Sequence, residues 1–209
     1  MTGKLIQGSD EWLAARVGKV TASRIADLTA KTKSGWGAGR KNYMAELIAE
    51  RLTGAAANNF TNSAMQWGTE TEPLARSAYE FETDLDVVEV GLVSHPTIKN
   101  SAASPDGLVN EDGGVEIKCP NTATHIDTLL NEKIPDKYIK QMQWQMACTG
   151  RRWCDFVSFD PRLGARLSLF IKRVARDDKL IIELEMAVVA FIQEMEQKII
   201  ELNGLGSDG

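Results

Sequence analysis

Residues 104–118 read "SPDGLVNEDGGVEIK", with short apolar runs on either side of a turn rich in glycine and acidic residues. The flanking runs "SAASPDGLV" and "GVEIK" have strand composition, and Glu111, Asp112, Gly113 and Gly114 have the composition of a tight reversal. We read an antiparallel hairpin. Side chains alternate along a strand, so Val115 and Ile117 point to one face while Glu116 and Lys118 share the other. Asp106 ends the preceding arm and is delivered to the same end by the turn, so two carboxylates and an ammonium converge.

Downstream, "IPDKYIKQMQWQMACTG" carries Tyr138, Met142 and Met146 at four-residue steps between Pro135 and Gly150, which fit a helix start and stop. Two strands follow, "WCDFVSF" and "ARLSLFIKRV", joined through "DPRLG", and a last helix runs from about Asp178 to Leu202. Upstream, "DVVEVGLVSH" reads as one strand. "WGTETEPLARSAYEFE" reads as a helix with Pro73 in its first turn, Glu72 near its start, and Leu74, Ala78 and Phe81 on one side. "RKNYMAELIAERLTG" is a helix stopped by Gly54; a flexible glycine-rich stretch at 31–39 precedes it and a polar loop around Asn58 to Ser63 follows it. At the start, Ser9 and Thr21 are cap residues for two short helices, "SDEWLAAR" and "TASRIADL". The order predicts an α/β (α+β mixed) fold, with a central mixed β-sheet and helices packed around it. At 209 residues the chain suits one domain, residues 1–209, with a core over about 10–203 and a glycine-rich tail at 204–209.

Apolar residues make up 43% and charged residues 25% of the chain, a globular composition that argues against disorder. The opening "MTGKLIQGSDEW" lacks the apolar run of a signal peptide, and "LIIELEMAVVAFI" is broken by Glu183 and Glu185, so we expect a soluble, unexported protein with no membrane partner. Cys119, Cys148 and Cys154 show no zinc or cluster spacing and read as free structural thiols. His95 and His125 fall in no metal-binding spacing and read as loop or surface residues. A G-x-S-x-G elbow and a Walker A loop are both missing, which sets aside hydrolase triads and NTPases. The net charge of −5 leaves nucleic acid open as a partner, because a channel can be basic while the exterior is acidic.

Taken alone, Glu116 and Lys118 could be an exposed ion pair worth only about 0–1 kcal/mol. Asp106, behind Ser-Pro and ahead of Gly, makes the combination much rarer. Hard oxygen ligands select Mg²⁺, which takes one or two carboxylates and leaves room for phosphate oxygens. The metal polarises a phosphoryl group and acidifies a water, and a second ion about 3.5–4 Å away stabilises the leaving oxygen. Lys118 would orient the attacking water or offset charge in the transition state. Phosphodiester hydrolysis uses all of these parts.

Five motifs then occur in order: "WLAARVGKVTAS", "MQWGTETEPLARSAYE", "SPDGLV" with "VEIKCP", "YIKQMQWQM" and "FDPR". Over roughly residues 10–175 the chain resembles the phage lambda exonuclease family, the YqaJ-type viral recombinases within the PD-(D/E)xK nucleases. The resemblance implies a PD-(D/E)xK restriction-endonuclease-like core. It implies metal ligation by Asp106, Glu116, the Ile117 carbonyl and Glu72, with Glu70 the alternative to Glu72 and otherwise a solvated first-turn glutamate. Lys118 matches the catalytic lysine, and Gln141 and Ser104 match positions near the scissile phosphate. Arg16 and Ser23 match the 5′-phosphate pocket; a guanidinium fork and a hydroxyl beside helix-terminal N–H groups form an anion site on physical grounds as well. Met65 matches an apolar wedge that splits the terminal base pair, a packing methionine being the alternative, and Tyr138 and Gln143 read equally as packing.

The resemblance further implies two Mg²⁺ ions, with Mn²⁺ able to substitute, and a ring-shaped homotrimer. Its substrate would be linear double-stranded DNA with a 5′-phosphate, one strand being digested 5′ to 3′. The 3′ overhang would serve a single-strand annealing protein in phage-type recombination, in the cytoplasm of a bacterial host, from a phage or prophage gene. The chain departs from the family pattern in a shorter loop between Cys119 and Tyr138 and a short C-terminal tail, which bear on the channel rim and on partner contacts. Two other readings share parts of this set: a PD-(D/E)xK endonuclease of restriction or repair type, and a catalytically silent DNA-end-binding module. Three scattered cysteines cannot supply the four of an iron–sulfur nuclease.

Overall fold

The computed structural model describes residues 5–33, 35–57 and 62–205. Its elements in the amino-terminal half are α1 (Asp10–Arg16), β1 (Val20–Thr21), a 3₁₀ turn (Ala22–Arg24), α2 (Ile25–Leu28), β2 (Lys31–Thr32), β3 (Gly35–Trp36), α3 (Ala38–Thr53) and α4 (Ser63–Thr83). Then come β4 (Val87–Val88), β5 (Val93–Ser94), β6 (Ser101–Ala103), β7 (Gly107–Val109), β8 (Gly113–Lys118), α5 (Thr122–Asn131), α6 (Asp136–Thr149), β9 (Trp153–Phe159), β10 (Leu169–Ala175) and α7 (Asp178–Leu205).

The expected hairpin is present, with β7 and β8 antiparallel and Gly107 opposite Val115. Gly113 is required there by space, because a Cβ at that position would stand 2.1 Å from the Trp153 ring. β8 then pairs in parallel with β9, and β9 in antiparallel with β10, giving a five-stranded mixed sheet in the order β10-β9-β8-β7-β4. Helices cover it, as the sequence predicts.

Several expectations need correction. "DVVEVGLVSH" is two strands in two different sheets, because β5 joins β6 and β1 in a separate three-stranded sheet. "SAASPDGLV" likewise divides: β6 ends before Pro105, which has no N–H to offer a ladder, and the chain crosses to the larger sheet at Asp106. The stretch at 31–39 contains the β2–β3 pair. The span between Cys119 and Tyr138 contains α5, capped by the Asn121 side chain. Residues 58–61 of the polar loop lie outside the described residues, as do 206–209 of the tail.

α4 differs most from expectation. It begins at Ser63, where Asn62 Oδ1 accepts from Met65 N at 2.9 Å, so Pro73 and Glu72 lie mid-helix. Its buried face is Thr71, Ala75 and Tyr79, whereas Leu74 is 58% and Phe81 90% exposed. Ala75 permits close approach to the sheet, and Tyr79 Oη donates to the buried Asp155 carboxylate at 2.8 Å, which repays burial of its hydroxyl.

The apolar core lies on both faces of the sheet. Val115 and Ile117 pack with Ala75, Tyr79 and Val157 under α4, while Phe156 and Cys154 pack with Met142 and Met146 of α6. On its far side α6 buries Trp144 among Ile25, Tyr43, Leu184 and Phe191. Every residue of α6 from Met142 to Cys148 is buried, which marks a helix enclosed on all sides. Gln143 is consumed by this packing: it donates to the Ala175 carbonyl and accepts from Asp177 N, pinning α6 to the start of α7.

His95 and His125 are both buried rather than superficial. His95 stacks on Trp144 and its Nδ1 accepts from Ile98 N at 3.1 Å. His125 bridges the Ser158 hydroxyl, 2.7 Å away, and the Leu167 carbonyl, 2.9 Å away. Both satisfy loops from within, a use that ligand spacing does not reveal. The three cysteines are free, as expected. Among the described residues, no helix is long and apolar enough to cross a membrane.

Candidate active site

The carboxyl end of β8 opens into a cavity of about 200 Å³. β8 and the β6–β7 link contribute Ile117, Lys118, Asp106 and Ser104 to its wall; α4 contributes Glu72 and α6 contributes Gln141. Arg16, Ser23, Thr21 and Ala22 close the opposite side, with Gln7 beside them. Glu116, fully buried, stands behind this wall and reaches it through its partners.

Alternation along β8 does what the pattern predicts. Glu116 points toward α6, away from the Val115 and Ile117 cluster, and there meets donors on both oxygens. Oε1 accepts from Gln141 Nε2 at 2.6 Å and pairs with Lys118, while Oε2 accepts from Gln145 Nε2 at 2.5 Å. Asp106 Oδ2 accepts from the backbone N–H of Ile117 at 2.6 Å, which ties the first hairpin arm to the second. Lys118 Nζ also lies 5.3 Å from the Tyr138 ring, and that ring stacks on Phe156.

The charges are unevenly balanced. Burial raises the Asp106 carboxyl well above its ordinary range, the neighbouring Glu116 adds to this, and Lys118 opposes it. Burial pulls Lys118 down, but Glu116 and Asp106 outweigh it and the net shift is upward. Burial also raises Glu72, against the pull of Arg76 and Lys118. Cys119 is pushed up to about 12, by burial and then by Glu72 and Asp106, and so stays a thiol. A further positive charge in this cavity would favour the ionised form of Asp106.

The donors fit a hard dication. Among the described residues no three His, Cys, Asp or Glu side chains form a metal cage by themselves. What is offered is the pair Asp106 and Glu116, the Ile117 carbonyl, and Glu72, which lines the same cavity. One or two carboxylates completed by water and phosphate oxygens is the set that Mg²⁺ takes. Glu72, not Glu70, lines the cavity; Glu70 is exposed and accepts from Gln66.

The other side is built around a cation. Ser9 caps α1 as expected, and the helix places Arg16 one turn after Trp12, where its guanidinium lies 4.1 Å from the indole centroid. Trp12 Nε1 donates to Ser104 Oγ at 2.9 Å, which fixes the indole. Thr21 makes no side-chain cap; its hydroxyl instead accepts from Arg16 Nη2 at 3.4 Å. Burial lowers Arg16 somewhat, and even so a guanidinium stays charged. Ser23 sits exposed in the 3₁₀ turn at the same wall. Met65, on the first turn of α4, is 55% exposed and outside the cavity wall, so it is no core methionine.

Gln145, Trp12 and Arg76 support the site without any motif that assigns them to it. Each lies four residues from a residue that was singled out, on the same helix: Gln141, Arg16 and Glu72. An i, i+4 search around each candidate would have found all three.

Residues 11–152 match the sequence profile of the YqaJ-like viral recombinase domain. The chain belongs to that family. A curated mimivirus relative, uncharacterized protein R354 of Acanthamoeba polyphaga mimivirus, is 28% identical over 164 residues; the match covers 72% of this chain and 28% of that protein's length. Among solved structures the chain is similar to an alkaline exonuclease, LHK-Exo, from Laribacter hongkongensis. Identity is 55%, 96% of this chain and 99% of that one are covered, and the TM-score is 0.90, or 0.91 against LHK-Exo in complex with dAMP. A phage-related exonuclease from Haemophilus somnus 129PT shares the fold at 18% identity, with a TM-score of 0.73 over 88% of this chain and 96% of that one. The fold is thus of the PD-(D/E)xK-like type that the resemblance implies.

Proposed function

We propose that this chain is a divalent-metal-dependent exonuclease that digests one strand of linear double-stranded DNA from its 5′ end. The observation that carries the reading is a single cavity with a buried carboxylate–lysine cluster at one wall and an Arg16–Ser23 anion site at the other. Family membership and the 55% identical alkaline exonuclease support the nuclease part, and that enzyme's complex with dAMP, a nucleoside monophosphate, supports the size and charge of what the cavity takes.

In this reading Asp106, Glu116, the Ile117 carbonyl and Glu72 hold Mg²⁺, two ions in the complete site, with Mn²⁺ able to replace it. When bound, the metal supplies Lewis-acid polarisation of the scissile phosphate and an acidified water. Lys118 orients that water and offsets charge that builds on the phosphate, a role its upward-shifted pKa suits because it keeps the ammonium protonated. Gln141 holds Glu116 and borders the phosphate beside Ser104. Arg16 and Ser23 bind the 5′-phosphate, so the distance across the cavity measures the cut from the DNA end. Met65 at the mouth of α4 is free to wedge the terminal base pair. A homotrimeric ring would thread the duplex through a basic channel despite the net charge of −5, and the 3′ overhang would pass to a single-strand annealing protein in a phage-infected or lysogenic bacterial cytoplasm.

The test compares 5′-phosphorylated linear duplex, 5′-hydroxyl linear duplex and closed circular duplex with Mg²⁺. Mononucleotides should be released from the first, more slowly from the second, and not from the third. Nicking of the circle would replace this reading with an endonuclease; intact linear DNA with folded protein would leave only an end-binding module.

A further inference from the structure

Arg76 lies one helical turn beyond Glu72 on α4, and its guanidinium joins two carboxylates. Nη2 donates to Glu72 Oε1 at 2.9 Å, and Nη1 pairs with Glu89. The Arg76 side chain is 15% exposed, its Nε is buried without a hydrogen-bond partner, and Glu89 is 61% exposed. Neither Arg76 nor Glu89 lines the cavity, whereas Glu72 does. One oxygen of this cavity-lining carboxylate is therefore committed to a fixed cation in the protein. Any second cation approaching Glu72 meets a guanidinium on the same carboxylate, and like charges in a partly buried site repel over several ångströms.

We propose that Arg76 is a positioning residue: its ion pair tethers Glu72 at the cavity wall and weakens the hold of that half of the site on a divalent cation. The inference rests on the reading of Asp106, Glu116 and Glu72 as metal carboxylates. Glu89 acts on the tether from outside, drawing part of the guanidinium away from Glu72.

The experiment titrates the purified full chain with Mn²⁺ in the absence of DNA, read by calorimetry or electron paramagnetic resonance. Arg76→Gln should bind Mn²⁺ roughly tenfold tighter, as release of Glu72 Oε1 from its ion pair predicts. Glu89→Gln, a surface change, should bind about two- to threefold more weakly, because Arg76 then turns wholly to Glu72. In a Glu72→Gln background, Arg76→Gln should have no further effect. A natively folded Arg76→Gln protein with parental affinity overturns the inference, and so does equal tightening in the Glu72→Gln background, which would be a general field and no tether. Should Arg76→Gln fail to fold, Glu89→Gln decides, and parental affinity there overturns the inference. Asp106→Asn separates the two levels. If it binds Mn²⁺ like the parent, the metal reading falls and this inference with it; if it loses Mn²⁺ while Arg76→Gln shifts nothing, only the role of Arg76 falls.

Discussion

At the β8 wall of the cavity, Glu116 is fully buried and both its oxygens are occupied by Gln141, Lys118 and Gln145. At the α1 wall, Arg16 has an indole beneath it and one long hydrogen bond to a neutral hydroxyl. The first arrangement leaves the carboxylate one rotamer, because a buried charge with every donor met loses much if it turns. The second leaves a guanidinium with donors to spare, so its natural complement is an anion from outside. In the proposed reading one wall holds reacting groups still and the other recognises a DNA end.

Substitutions at the two walls should therefore fail differently. The largest effect belongs to Lys118→Ala, which should lower single-turnover cleavage about 10²–10³-fold while end binding, followed by fluorescence anisotropy, stays near parental. Arg16→Gln should cost about 10–100-fold in the preference for 5′-phosphate over 5′-hydroxyl ends, the value of charge-assisted hydrogen bonds, and should leave cleavage of 5′-hydroxyl ends close to parental. If Arg16→Gln slowed both ends alike, the division between walls would be broken.

Gln145→Leu sharpens the comparison from inside the β8 wall. It strips Glu116 Oε2 of its donor, should destabilise the fold by about 1–3 kcal/mol in urea titration, and should lower kcat while KM holds. Gln145→Glu, which places a like charge there, should do worse than Leu.

The smallest effect concerns the support behind α6. Burial lowers the His95 pKa below its ordinary 6.5, against the opposing pull of Glu185, whose Oε1 lies 3.2 Å from Nε2 without hydrogen-bond alignment. The unfolded chain then binds a proton that the fold resists. His95 should cost no stability above pH 6.5 and should lower it as pH falls from there toward the folded value. His95→Asn should flatten the melting-temperature profile between about pH 7 and pH 5.5. An unchanged slope would show that other groups set it.

Much of the site was legible in order along the chain. The "SPDG" and "VEIK" motifs fixed Asp106, Glu116 and Lys118 on one hairpin end, because strand alternation is strict and a short turn allows few registers. Glu72 is reached through the resemblance of "MQWGTETEPLARSAYE" although its helix starts earlier than expected: Pro73 has the look of a start signal, but Asn62 caps the helix eleven residues before it. The buried face of α4 is hidden from apolar periodicity because it rests on Ala75 and Tyr79, whose burial depends mainly on residues of β7, β8 and β9 that lie 30 or more positions away. The break in "DVVEVGLVSH" has a similar origin. Its Gly91 passes so close to the Leu5 backbone that a Cβ would stand 2.3 Å from the carbonyl oxygen, a contact between segments the local sequence does not link.

The sequence by itself determined the hairpin, the helix–sheet alternation and the identity of the charged set, because these follow from local periodicity and from side chains at fixed short spacings. Only the tertiary structure decided that Arg16 and Asp106 line one cavity, that two glutamines of a largely buried helix clamp Glu116, and that Arg76 claims Glu72. Those are contacts between elements whose separation in the chain carries no periodic signal, and burial, which sets their strength, exists only once the elements have packed.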